Sequence, residues 1–461
     1  MRNVVLICLD TVRKDFFDSN AKRIKDSADV DVRQCRATSA WSAPSHAGMF
    51  TGELPHQHGV HTYQRSFNGI PEEGTFLSKL PEHTLLGASA NTFAGPPFNF
   101  NQRFDKFRYF TSPSHRYTAG LNPVSYNNGT LKERYGRFLR DALRSDHPIA
   151  SLLNGAIGVT RQVNRHTPFK DIFDDGAKPL LNEARGMVNS VEEPYFLFLN
   201  LMDAHLPLTP HRNLRDHEVP SSWSTHSYDQ WEYFGRRDEF EEYWRYRESL
   251  YAAVIEYLDR VVSEFVKYVT SRSAVPTSVI VTADHGENLG RSEEGGLVNH
   301  TSSLSEGLLH VPFSIINPGD IIPSPENRVV SHLDMPDVVS ALAKGQETFE
   351  WDAIPRAEVM GMGPNPDPPS KKEFWDRTIR CVYEDMTKYV WDTQGTEAVY
   401  KLKHGKPSWQ REVDGPFELP PELESLFKCD IAAARDQAFE EENSATVSKS
   451  TESRLEELGY L

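Results

Sequence analysis

The sequence predicts an α/β fold with a largely parallel central sheet flanked by helices, and a small antiparallel sheet unit at the C-terminal end. Residues 4–9, 195–202 and 278–283 are short continuous apolar runs, the pattern of parallel strands buried on both faces. Helical periodicity lies between such runs. It is clearest over residues 243–269, where Leu250, Val254, Tyr257, Leu258, Val261, Val262 and Phe265 share one face. Each apolar run also ends in polar residues, at the edge where open α/β sheets place their ligands.

The first run ends in Asp10-Thr11-Val12-Arg13-Lys14-Asp15. It is too short for a signal peptide, and Asp10 stands where small residues should precede cleavage, so a buried strand and a cytoplasmic location are expected. No run approaches the roughly 20 apolar residues of a bilayer span, and no integral membrane segment is expected. Next comes Ser42-Ala43-Pro44-Ser45-His46, opening a helix that Thr51-Gly52 closes. Ser42 thus stands at a helix N-terminus, where unpaired N–H groups stabilise an alkoxide, a phosphoryl group or a sulfuryl group. Taken alone, that pattern is an ordinary N-cap. The histidines of Pro55-His56-Gln57-His58-Gly59-Val60-His61 read as a loop outside the site.

Residues 84–91 form a further strand ending in Ala88-Ser89-Ala90-Asn91. Residues 96–190 lack clean periodicity and are expected to be a variable insertion, part helix and part loop. The run 195–202 delivers Asp203-Ala204-His205, and 278–283 delivers Asp284-His285-Gly286-Glu287. Residues 311–316 are another core strand, and His332-Leu333-Asp334-Met335-Pro336 opens a helix. Short strands at 389–391 and 398–402 suggest the C-terminal unit. The expected division is a catalytic domain over 1–345 and a smaller α+β subdomain over 346–461, with a flexible acidic stretch before Leu455. The net charge of −16 argues against nucleic acid or an anionic membrane as partner. Cys8, Cys35, Cys381 and Cys429 show no metal or redox spacing.

Three strand ends therefore present Asp10, Asp203 with His205, and Asp284 with His285, near a serine on a helix N-terminus. Carboxylates with an imidazole suit Mg²⁺, Ca²⁺, Mn²⁺ or Zn²⁺. A cation beside Ser42 would lower its hydroxyl pKa and stabilise a transferred oxyanion.

In these motifs, and in Leu309-His310-Val311-Pro312 and the closing Leu455-Glu456-Glu457-Leu458-Gly459-Tyr460-Leu461, the chain resembles the sulfatase family of the alkaline phosphatase superfamily. The resemblance implies a divalent metal, Ca²⁺ or Mg²⁺ before Mn²⁺ or Zn²⁺, held by Asp10, Asp284 and His285. Ser42 would complete the set and act as nucleophile, with His205 facing the transferred group or the leaving oxygen. His300 falls where members often place a catalytic or substrate-binding basic residue; a surface-loop histidine is the alternative. Arg13 either contacts the anion or pairs with Asp15. The chain departs from the family at His46, where sulfatases carry an arginine that serves maturation of the nucleophile to formylglycine. It also carries Asn91 in place of a Lys-x-His strand end, and Thr11 in place of a second aspartate. His46 joins His205 and His300 as a catalytic candidate, and Asn91 and Asp203 join Arg13 for substrate binding. The leading expectation is hydrolysis of a small-molecule or glycan sulfate ester by residue 42, as serine or formylglycine. The alternative is a phosphoester or phosphonate-ester hydrolase, or a phosphotransferase, with unmodified Ser42. A non-catalytic binding protein on the same fold is the third.

Overall fold

A computed structural model of the chain describes all residues except 111, 113, 127–128, 165–172, 175, 216, 227–228, 301, 346–348, 366, 441–454 and 456–461. The expected domain junction at 345/346 and the acidic stretch before Leu455 thus fall largely outside the described residues.

Seven strands make the main sheet: β1 (Asn3–Leu9), β2 (Val30–Asp31), β3 (Thr84–Ser89), β4 (Lys106–Tyr109), β5 (Tyr195–Leu201), β6 (Thr277–Thr282) and β7 (Phe313–Ile316). Their spatial order is β2-β7-β6-β1-β5-β3-β4. The five strands from β6 to β4 run parallel, and β7 pairs antiparallel with both β6 and β2. Every residue of β1, β5 and β6 is buried, which is why these strands read as mainly apolar runs without polar alternation. The register sets Cys8 opposite both Asn200 and Thr282, so the carboxyl ends of β1, β5 and β6 open at one level.

The helix Glu241–Arg272 buries Leu250, Val254, Tyr257, Leu258, Val261, Val262 and Phe265, the face its periodicity predicts. It packs with Ala177–Asn189 against β3, β5 and β6, while Ser42–Thr51 and Met335–Lys344 pack together beside β1. Residues 96–190 contain helices, loops and one strand, and part of this segment joins the core. Lys106–Tyr109 joins the sheet as its edge strand, and Ala177–Asn189 buries Leu180, Leu181, Ala184 and Met187. Four residues with two charges make too short a pattern to read as a strand. Between them stands a helical hairpin, Leu131–Arg144 and Pro148–Asn164.

The C-terminal sheet runs β8 (Arg356–Met360), β9 (Thr378–Glu384), β10 (Thr387–Asp392), β11 (Glu397–Leu402) and β12 (Gln410–Glu412), antiparallel throughout and in sequence order. Two contacts fasten β8 to the segment leading into Ser42: Glu358 N donates to Thr38 O (3.0 Å), and Ser39 Oγ donates to Glu358 O (2.7 Å). Glu306 adds a buried cross-link, 2.8 Å from Arg36 Nε and 3.0 Å from Lys388 Nζ of β10.

Candidate active site

The site forms where β1, β3, β5 and β6 end. Asp10 follows β1 and is fully buried. The chain then turns through Thr11, whose φ of 60° is rare for a β-branched residue. Thr11 N donates to Asp284 Oδ1 (3.3 Å), and Tyr251 Oη donates to Thr11 O (2.5 Å), so both flanking elements hold the turn. After β6, Gly286 lets the backbone pass close to a neighbour: a Cβ there would lie 2.1 Å from Gly307 O.

Ser42 is the first residue of its helix, behind an extended Trp41, and Gly52 at φ 74° closes that helix with an N–H bond to Gly48 O. Asn91 Nδ2 donates to Ser42 Oγ (2.9 Å) and to Asp10 Oδ2 (2.5 Å). Its orientation is set by Phe93 N, which donates to Asn91 Oδ1 (2.7 Å). His285 Nδ1 donates to Gly286 O (2.8 Å), which leaves the lone pair of Nε2 to face Ser42 Oγ at 3.3 Å.

Asp10, Asp284 and His285 each offer a donor atom, all within 4.8 Å of one another. Asp10 Oδ1 and Asp284 Oδ2 are buried without a hydrogen-bond partner. Burial and the neighbouring Asp284 push the Asp10 carboxyl well above its usual range. Burial acts to raise Asp284 as well, but His285 and His46 outweigh it and hold that carboxyl low. Two buried carboxylates with bare oxygens and an imidazole lone pair fit a divalent cation, which would remove their repulsion. A second group, Cys8, His46 and Asp284, fits less well. Burial raises the Cys8 thiol well above its usual range, and both nitrogens of His46 are engaged.

The histidines occupy different places. His46 lies fully buried beneath the serine: Nδ1 donates to Ser42 O (2.7 Å), and Nε2 accepts from Asn200 Nδ2 (2.9 Å). Burial lowers its pKa, so the ring is neutral. His205 Nδ1 donates to Leu206 O (2.5 Å), and its Nε2 lies 3.3 Å from His300 Nε2. His300 packs edge-on to His285, with centroids 4.6 Å apart, and its Nδ1 lies 3.1 Å from Glu287 Oε1. Burial would raise the Glu287 carboxyl; His300 and Arg247 hold it down, at about 2. His56, His58 and His61 line another cavity, of about 380 Å³, beside the helix Ile431–Glu440.

Arg13 and Asp203 each have protein partners. The Arg13 guanidinium pairs with Asp15 (2.9 Å) and Glu294 and donates to Glu287 O. Asp203 accepts from Ala177 N (3.3 Å) at the start of a helix. Two members of the cluster were not singled out from sequence. Asn200, at 3.4 Å from Asp10 Oδ2, is the one polar residue between Tyr195 and Leu201, which was its signal. Glu287 stood in the Asp-His-Gly-Glu motif, but its partner His300 lies thirteen residues on.

The family profile described as Sulfatase matches residues 2–345. The chain belongs to the sulfatase family, within the alkaline phosphatase superfamily. Members generally use a divalent metal, and Asp10, Asp284 and His285 are the candidate ligands in this sulfatase-family chain. Among solved structures, the phosphonate monoester hydrolase of Silicibacter pomeroyi aligns at 13% identity over 95% of each chain, with a TM-score of 0.58. That of Agrobacterium radiobacter aligns at 13% over 87% of this chain and 89% of its own, TM-score 0.56. A protein solved with its substrate D-glucosamine-2-N,6-O-disulfate aligns at 13% over 87% and 91%, TM-score 0.54. At such identities these likenesses concern the fold. No match was found among curated protein sequences. No described helix is long and apolar enough to cross a membrane.

Proposed function

We propose that this sulfatase-family chain is a metal-dependent hydrolase of singly charged phosphorus esters, phosphonate monoesters or phosphodiesters, with the Ser42 hydroxyl as nucleophile. The observation that carries this reading is the surrounding of Ser42: its Oγ meets Asn91 and His285 beside two bare carboxylate oxygens, while the residue beneath it is the neutral His46. A neutral imidazole supplies no cation to support conversion of the serine to formylglycine, and a plain alkoxide attacks phosphorus readily. Arg13 and Arg247, which reach these strand ends, are paired with Asp15, Glu294 and Glu287. One divalent cation and a histidine pair suit an anion of charge −1 better than −2.

A cation held by Asp10, Asp284 and His285 would acidify the Ser42 hydroxyl and offset charge on the transferred group. The imidazole among the ligands favours Mn²⁺ or Zn²⁺ over Ca²⁺. Ser42, its hydroxyl proton already released to solvent, attacks as the alkoxide; the new Oγ–P bond forms as the bond from phosphorus to the leaving oxygen breaks, and the His205–His300 pair, backed by Glu287, gives that oxygen its proton. The same pair then takes a proton from the water that cleaves the phosphoryl-serine. The second reading, sulfate-ester hydrolysis after oxidation of Ser42 to formylglycine, is favoured by the family match over residues 2–345.

The test is a parallel assay of an aryl sulfate, a glucosamine sulfate, a phosphate monoester, a phosphodiester and a phosphonate monoester across Mg²⁺, Ca²⁺, Mn²⁺ and Zn²⁺, with Ser42→Ala as blank. Preference for a phosphorus ester, with an unmodified Ser42 peptide by mass, is expected. Preference for a sulfate, with a peptide lighter by two hydrogens, establishes the second reading instead.

A further inference from the structure

The hairpin Leu131–Arg144 and Pro148–Asn164 has its amphipathicity turned outward. On the second helix, Ile149, Leu153, Ala156, Val159 and Val163 fall within an arc of about 120° at the helical period. All five are exposed, Ile149 by 75% and Val163 by 54%. The inward face buries Ile157 beside polar groups. Asn154 accepts from Tyr117 N (3.0 Å) and donates to Tyr117 O and Leu121 O, and Ser151 Oγ accepts from Leu121 N (2.9 Å). A helix that packs only in water shows the reverse. The first helix buries Phe138 and Ala142 but exposes Leu139 and Leu143, the latter by 61%.

Charge identifies what fits this face. Residues 130–164 hold six Lys/Arg against three Asp/Glu, in a chain of net −16. Lys132, Arg140 and Arg144 are exposed. A second copy would set like charges against each other, whereas an anionic bilayer neutralises them.

We propose that the hairpin docks the protein on an anionic lipid surface. The side chains of Leu143, Ile149 and Leu153 enter the boundary between headgroups and acyl chains, and Arg140 and Arg144 meet lipid phosphates. Neither helix spans the bilayer, so the protein lies on the membrane. The whole-chain charge, which argues against such a partner, averages away a local patch of opposite sign. This inference is independent of which ester is hydrolysed.

The experiment is flotation of the full chain with phosphatidylglycerol-containing vesicles and with pure phosphatidylcholine vesicles, at low and high salt, alongside sedimentation without lipid. The expected result is salt-sensitive binding to the anionic vesicles only. It should weaken about tenfold or more in Leu143→Glu/Ile149→Glu and in Arg140→Glu/Arg144→Glu, both with wild-type melting curves. Absence of binding by the wild type, or equal binding to both vesicles, overturns the proposal. So does a wild-type dimer that Leu143→Glu/Ile149→Glu converts to monomer, because the face then belongs to a second copy.

Discussion

His46 Nδ1 donates to the main-chain oxygen of Ser42 at 2.7 Å, so the imidazole supports the turn that presents the Ser42 hydroxyl without touching it. The other ring nitrogen takes the Asn200 amide, which also points at Asp10 Oδ2 (3.4 Å). His46→Phe keeps an aromatic ring, somewhat larger than imidazole, and leaves Ser42 O and Asn200 Nδ2 without this partner. We expect a loss of about 2–3 kcal/mol in stability and at least tenfold in kcat, with KM little changed. Urea unfolding and steady-state kinetics check both; unchanged stability would remove His46 from this role.

Ser42→Ala and Asp284→Ala separate the proposed nucleophile from the proposed metal ligand. Asp284 follows a strand end, so Asp284→Ala should abolish metal binding and turnover while the fold persists. Ser42→Ala should abolish turnover and keep most metal affinity; a surviving rate within about tenfold, ~1.4 kcal/mol of barrier, would leave Ser42 as a helix cap. Thermal melting gives a readout apart from activity. Metal at about 100 times its Kd should stabilise wild type and Ser42→Ala by about 2.7 kcal/mol and leave Asp284→Ala unmoved.

Much of this was legible in the chain because parallel strands buried on both faces advertise themselves as apolar runs, and their carboxyl ends then name Asp10, Asn91, Asp284 and His285. The contacts were not. Nothing near Asn200 in sequence shows that it reaches His46, 154 positions away, and the motif around Arg13 does not reveal that its guanidinium turns to Glu294. Edge strand β4 was hidden by its shortness. The outward apolar face of residues 149–163 was hidden because periodicity shows that a helix is amphipathic but not which way it faces.

Glu287 and His300 lie 3.1 Å apart, with His205 beyond, and this line of groups carries the proton proposed for the leaving oxygen. Glu287→Gln removes the carboxylate that lies 3.1 Å from His300 Nδ1 and positions the ring toward His205. Poor leaving groups need that proton and nitrophenolate does not, so the loss should reach about 10²–10⁴ in kcat/KM for alkyl esters and stay small for nitrophenyl esters. A uniform loss across leaving groups would make Glu287 structural only.

Glu306 provides a test of stability against pH. Burial acts to raise its carboxyl, but Arg36 and Lys388 outweigh it and hold it at about 2, below the ordinary value of 4.5. The sign follows from the depressed folded-state pKa: the contribution is fully present above about pH 4.5 and lost as pH falls toward 2, because the unfolded chain takes up the proton first. For this fully buried group the contribution is on the order of 3 kcal/mol. Glu306→Gln should therefore flatten the decline of urea stability between about pH 5 and pH 3. At neutral pH it should cost about 3–5 kcal/mol, because Arg36 and Lys388 stay buried without their shared counter-charge. A variant whose acid limb still matches wild type would place the acid sensitivity in other carboxylates.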